Sequence, residues 1–111
     1  GNVYWRGAEP SVTEKDPLVR TAFDPGLQWI EQGPRIYLRL VADPAWRRAK
    51  TAPVTTARLG HAKRPNLPYV NADDSPLRID RDYFGRRRST QNPTPGPFEK
   101  PGRGERQLRL W

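Results

Sequence analysis

A chain of 111 residues with 34% apolar residues and a mean hydropathy of −0.94 supports one small domain and leaves no room for two sizeable cores. It has no cysteine, which excludes a disulfide framework and a thiolate metal site, and no run approaches the roughly 20 apolar residues of a membrane-spanning helix, so membrane insertion is not expected. The net charge of +8 points to anionic partners but is banded: residues 34–70 carry eight basic groups against one acidic and residues 86–111 seven against two, whereas 1–33 and 71–85 are each net negative.

A nucleic-acid binder gathers its basic residues on one face, so the meaning of the two bands turns on whether they meet in space. Arginine outnumbers lysine sixteen to four, a bias that suits forked recognition of phosphate or carboxylate and that a GC-rich coding sequence produces equally. Thirteen prolines and nine glycines impose loops. Eleven aromatic residues offset the shortage of aliphatic ones, because each ring buries roughly 150–250 Å². The chain opens Gly1-Asn2 and contains no methionine, as expected of a processed or excised segment.

NVYW (2–5) is a short β-prone stretch, and the polar, proline-punctuated residues up to Gly26 read as an irregular connection from a preceding domain. Residues 27–111 then form a single small β-rich domain. LQWIEQ, the turn-forming Gly33-Pro34 and RIYLRLVAD predict a hairpin, with Ile36, Leu38 and Leu40 on one face and Arg35, Tyr37 and Arg39 on the other. Asp43 before Pro44 is the arrangement of an N-cap with proline in the first helical position, and AWRRAK gives a short helix ended by Pro53. VTTARLG (54–60) reads as a β-branched stretch, ADDSP as a turn, LRIDRDYF (77–84) as an alternating strand and QLRLW (107–111) as a last strand. The expected fold is mainly β, a small β-sandwich-like or α+β domain with about five short strands, one short helix and long Pro/Gly-rich loops.

Arg86, Arg87 and Arg88 beside Tyr83 and Phe84 combine cations with stackable rings, as on single-stranded nucleic acid. The plainer reading ends a strand at Tyr83-Phe84 and pairs the arginines with Asp80 and Asp82. Those two carboxylates, two apart on a predicted strand, share a face; such a pair can run glycoside hydrolysis or bind Ca²⁺, but spacing alone is weak evidence for either, and the two read better as partners of the nearby Arg78, Arg81 and Arg86. The sole histidine, His61, lacks neighbours for a zinc site, and no phosphate-binding glycine motif is present, so no metal or cofactor is expected. Exposed tryptophans stack on sugars, Trp46 being a candidate, but most of the four are expected in the core.

Taken together, NVYWRGAEPSVTEKDPLV, PRIYLRLVADPAW, APVTTARLGHAKRPNLPYVNADDSPLRIDRDYFGRRR and NPTPGPFE resemble the C-terminal region of large bacterial right-handed parallel β-helix proteins of the glycoside-hydrolase-like kind. There, an Asn-x-Tyr strand marks the last coils, and runs similar to SPLRIDxDYFGxxR and PxPGPFE belong to the domain packed after them. The chain departs from that pattern in having no repeated strand-turn unit. The family's catalytic carboxylates lie on the coils, so none transfers to a numbered residue and no catalytic residue is assigned. The resemblance implies a non-catalytic accessory or C-terminal domain of a secreted or envelope-associated carbohydrate-active protein, docking on its parent β-helix domain or touching polysaccharide. Glycan or anion contact would then fall to Arg86, Arg87, Arg88, Tyr83 and Trp46, with Asp80 and Asp82 as an acidic site. The alternative is a basic RNA-binding or ribonucleoprotein-type assembly subunit, with nucleic acid as its partner. A catalytic domain comes third.

Overall fold

The alternation of RIYLRLVA becomes the longest strand of the structure, a computed structural model that describes residues 1–111. The elements in chain order are β1 (Val3–Trp5), β2 (Leu18–Arg20), β3 (Gln28–Gln32), β4 (Arg35–Ala42), a 3₁₀ turn (Pro44–Arg48), the single-turn helix α1 (Thr56–Leu59) and β5 (Gly104–Arg109). The chain is a mainly β domain of five strands in two sheets with one short α-helix. No helix is long and apolar enough to cross a membrane.

β3, β4 and β5 form an antiparallel sheet with β4 in the centre. Gln32 pairs with Arg35 across Gly33-Pro34, and Gly33 takes φ +59°, the positive value that two-residue hairpin turns demand at their first central position. Trp29, Leu38 and Leu108 stand opposite one another, as do Leu40 and Arg106, so these side chains share one face. On that face Leu40, only 2% exposed, Ala42 and Trp46 make the core, with Val3, Trp5, Leu38 and Leu108 packed around them. Burying Leu40 alone is worth about 1.5–3 kcal/mol.

The N-terminal residues are more ordered than their polar sequence suggests. β1 and β2 pair in parallel, Val3 with Leu18 and Trp5 with Arg20, and residues 6–17 supply the roughly dozen-residue crossover such a pair requires. Trp5 packs on Trp46 with centroids 5.1 Å apart and on Phe23 at 6.0 Å. Asp43, 1% exposed, ties this segment to the sheet: Oδ1 accepts from Ala45 N at 2.8 Å, while Oδ2 accepts from Trp5 Nε1 and Arg20 Nε, each at 3.2 Å. The Asp43-Pro44 cap is present as expected, but the turn it starts is 3₁₀ and ends at Arg48.

One predicted strand, LRIDRDYF, is absent, and the β-branched stretch before it is helical. VTTARLG contains α1 instead, capped by Thr55, whose hydroxyl accepts from Arg58 N, and closed by Gly60 at φ +70°. LRIDRDYF makes only isolated bridges, Arg78 with Thr55 and Arg81 with Arg87, because the Asp82 side chain captures backbone N–H groups that a ladder would use. The one parallel pair is β1 with β2, so the chain contains no stacked parallel coils.

Only 11 of 111 residues are buried. The accessible surface of 8,380 Å² exceeds the about 6,300 Å² usual for a folded monomer of this mass, and the radius of gyration of 16.0 Å exceeds the about 13 Å usual for this length. The small core makes Asp43 decisive. Asp43→Ala strands the Trp5 indole N–H and the Ala45 N–H and removes a cap, and is expected to cost at least about 2 kcal/mol in urea unfolding; a loss within about 0.5 kcal/mol would refute its role as the tie.

Candidate functional site

Asp82 organises the segment around the predicted acidic site. It is 8% exposed, its Oδ1 accepting from Phe84 N at 2.9 Å and Arg86 N at 2.8 Å, and its Oδ2 from Glu99 N at 3.0 Å. Burial alone would raise its pKa, but the backbone bonds from Glu99, Arg86 and Phe84, helped by the Arg86 charge, outweigh burial and hold the carboxyl below the usual range. Asp80 is exposed and contributes through its backbone, donating to Arg78 O and accepting from Arg88 N. The two carboxylates therefore do not form a shared site. Asp82 is a turn-closing group, and no cluster of three or more His, Cys, Asp or Glu side chains is arranged to hold a metal ion.

The arginine run is not paired with these aspartates either, since the salt bridges are Arg6–Asp24, Arg20–Asp43, Arg39–Glu105 and the N-terminus with Glu14. Arg88 is spent on carbonyls, donating to Arg81 O at 3.2 Å, to Thr94 O at 2.9 Å and to Gly96 O. The Arg86 guanidinium lies 5.4 Å from the Phe84 ring centroid, and Arg87 is exposed on the returning limb of the turn. Tyr83 and Phe84 pack on each other and on the buried Phe98, with centroids 5.2–6.0 Å apart, and the Tyr83 hydroxyl donates to Leu110 O at 2.8 Å. This cluster clamps the Pro/Gly-rich run against the turn. The three rings pack into a cluster, two of the contacts edge-on, rather than standing in the spaced row on which successive bases stack.

The two basic bands meet elsewhere. A cleft of about 390 Å³ lies between the 3₁₀ turn and the loop before β5, walled by Trp46, Arg47, Lys100, Pro101, Arg103 and Arg106. Arg47 belongs to the first band and the other three cations to the second. None of the four is in a salt bridge, and no carboxylate lines the cleft. Trp46, 9% exposed, offers the cleft little more than a ring edge. A second cleft of about 350 Å³ is walled by Asn2, Thr51, Arg58 and Pro93–Gly96, with polar and apolar surface in equal parts. The cationic cleft escapes a residue-by-residue reading because Arg47 and Arg103 are more than fifty positions apart; the banding of charge is the only trace of it in the sequence.

No family model matches the chain, and no curated protein matches it. Among solved structures it is similar to XylC, in a structure of its complex with xylose, with a TM-score of 0.89 and 30% sequence identity over 99% of this chain. The chain spans 17% of the length of that protein. The likeness thus joins a carbohydrate-related protein to nearly every residue described here.

The depressed pKa of Asp82 gives a sign to the acid response. A carboxyl whose folded pKa lies below its unfolded value of about 3.9 adds stability that is full at neutral pH and is lost as pH falls through the folded value. Asp82→Asn is expected to weaken the protein at pH 7 by about 1–3 kcal/mol, because an amide cannot accept all three N–H bonds, and to flatten its loss of stability below about pH 4. Urea melts at stepped pH check both, and an unchanged acid limb would assign the response to other carboxyls.

Proposed function

We propose that this chain is a non-catalytic accessory region of a larger carbohydrate-active protein, packed against the remainder of that protein and contributing stability and contact with glycan. The observation that carries this reading is the match over 99% of this chain to only 17% of XylC. The surface supports it. The accessible area lies some 2,000 Å² above expectation for a free monomer of this size, an excess comparable to the total area a stable protein–protein interface buries.

Apolar side chains stand where such packing can use them. Leu27 and Trp29 lie beside and on the edge strand β3, with Trp29 65% exposed, and Leu67, Tyr69, Val70 and Ile79 are exposed around the loop after α1. An edge strand with an uncovered tryptophan invites pairing unless another part of the protein covers it. A preceding parallel β-helix, as the sequence resemblance implies, is the proposed body against which the domain docks. The RNA-binding alternative has less support, because Arg88 is bonded to carbonyls, Arg86 lies by the Phe84 ring and the rings pack on Phe98, which leaves the Arg87 side chain alone of the three without a partner in the chain.

Shielding of Trp29 tests the docking. Taken as the difference between the wild type and Trp29→Phe, with the core Trp5 and Trp46 left in place, the Trp29 emission should be quenched readily by acrylamide in the 111-residue chain and several-fold less in the full-length protein. Equal quenching in both would overturn docking through this edge.

A further inference from the structure

We infer that the cleft between the 3₁₀ turn and the β5 loop is a binding site for a uronic-acid residue of an acidic saccharide. Its ligand must be an anion, since Arg47, Lys100, Arg103 and Arg106 converge there with no carboxylate among them. Three of the four are arginines, whose planar forks grip a carboxylate through two parallel hydrogen bonds.

The cleft is shaped as well as charged. Arg106 stands opposite Leu40 in the sheet, and its guanidinium lies directly over Gly102: a Cβ on Gly102, which has φ +94°, would come within 2.5 Å of Nη2. Only glycine allows that placement. In the same loop Lys100 holds φ +50°, a left-handed conformation unusual for lysine. Its backbone N–H donates to Thr94 Oγ1 at 3.1 Å, while Thr94 N donates to the buried Glu99 carboxylate at 2.9 Å. Of the two acids adjacent to these cations in sequence, Glu99 is thus spent inside the loop and Glu105 on Arg39, and Thr94 itself lines the cleft.

The apolar part of the wall chooses among anions. Pro101 and the small exposed part of Trp46 give a saccharide ring an apolar surface beside the cations, one that inorganic phosphate has no apolar atoms to use. With Trp46 nearly buried, a nucleic-acid base finds no platform to stack on. The volume of about 390 Å³ lies at the small end of the roughly 300–1,000 Å³ of ligand pockets, and fits a short saccharide end.

This inference rests on the carbohydrate-related reading above, and the test separates the two. The 111-residue chain is titrated by calorimetry at low ionic strength with trigalacturonate, xylotriose, inorganic sulfate and an RNA oligonucleotide. Trigalacturonate should bind and xylotriose should not. Arg106→Ala and Gly102→Ala, with folding verified by circular dichroism, should each weaken binding at least about tenfold, the effect of one lost charge-assisted contact. The remote exposed Arg64→Ala should leave binding within about twofold. Gly102→Ala keeps every charge while displacing the Arg106 guanidinium and straining the loop that carries Lys100 and Arg103, so a diffuse electrostatic effect would not respond to it. Failure of trigalacturonate to bind, equal weakening by Arg64→Ala, sulfate binding as tightly as trigalacturonate, or RNA binding more tightly with the same Arg106 dependence would each overturn the inference. If it fails while Trp29 is shielded in the full-length protein, docking stands; if trigalacturonate binds while Trp29 stays exposed, docking fails and the site stands.

Discussion

The buried carboxylate of Asp43 is the constraint on which the rest of the molecule hangs. One side chain caps the 3₁₀ turn, receives the indole N–H of Trp5 and pairs with Arg20, and so brings a turn, the first strand and the second strand to one point. A buried charge is costly unless its oxygens are fully engaged. Here both oxygens accept N–H donors, which is why the N-terminal residues stay on the sheet even though few apolar groups of their own hold them. Trp5 and Trp46, packed 5.1 Å apart, close the space this ion pair defines.

Asp82 does for the C-terminal half what Asp43 does for the N-terminal half. Three backbone N–H groups converge on it, one of them from Glu99, seventeen positions away. The turn at 82–86 and the NPTPGPFE run are thereby locked together, with Phe84 stacked on Phe98. In a chain with eleven buried residues, such polar staples replace part of the hydrophobic core. That economy has a cost in coverage: much apolar and cationic surface stays outside, available for a larger body and an anionic ligand.

The convergence of Arg47 with Lys100, Arg103 and Arg106 gives the positive charge a location. Of the arginines that catch the eye in the sequence, Arg88 is absorbed by carbonyls and Arg86 by an aromatic ring, whereas inconspicuous ones become the cationic cleft. Charge density along a chain is therefore a poor guide to charge density in space. The shaping of the cleft follows from backbone features, the positive φ of Lys100 and Gly102, rather than from the number of cations.

The period-two alternation of residues 35–42 and the Gly33-Pro34 turn determined the central hairpin by themselves, since register and facing are local consequences of strand geometry. The Asp43-Pro44 cap was equally legible, because capping involves neighbours in sequence. The same alternation in LRIDRDYF misled, for Asp82 found N–H partners in its own turn and in a distant loop, and those bonds outcompeted a ladder. β2 was hidden because a three-residue strand has too short a pattern to register, and its parallel partner lies across a crossover. The cationic cleft was decided only by the tertiary structure. Its residues come from the two ends of the long connection between β4 and β5, and nothing in the chemistry of a linear chain specifies which distant charges a fold will bring together.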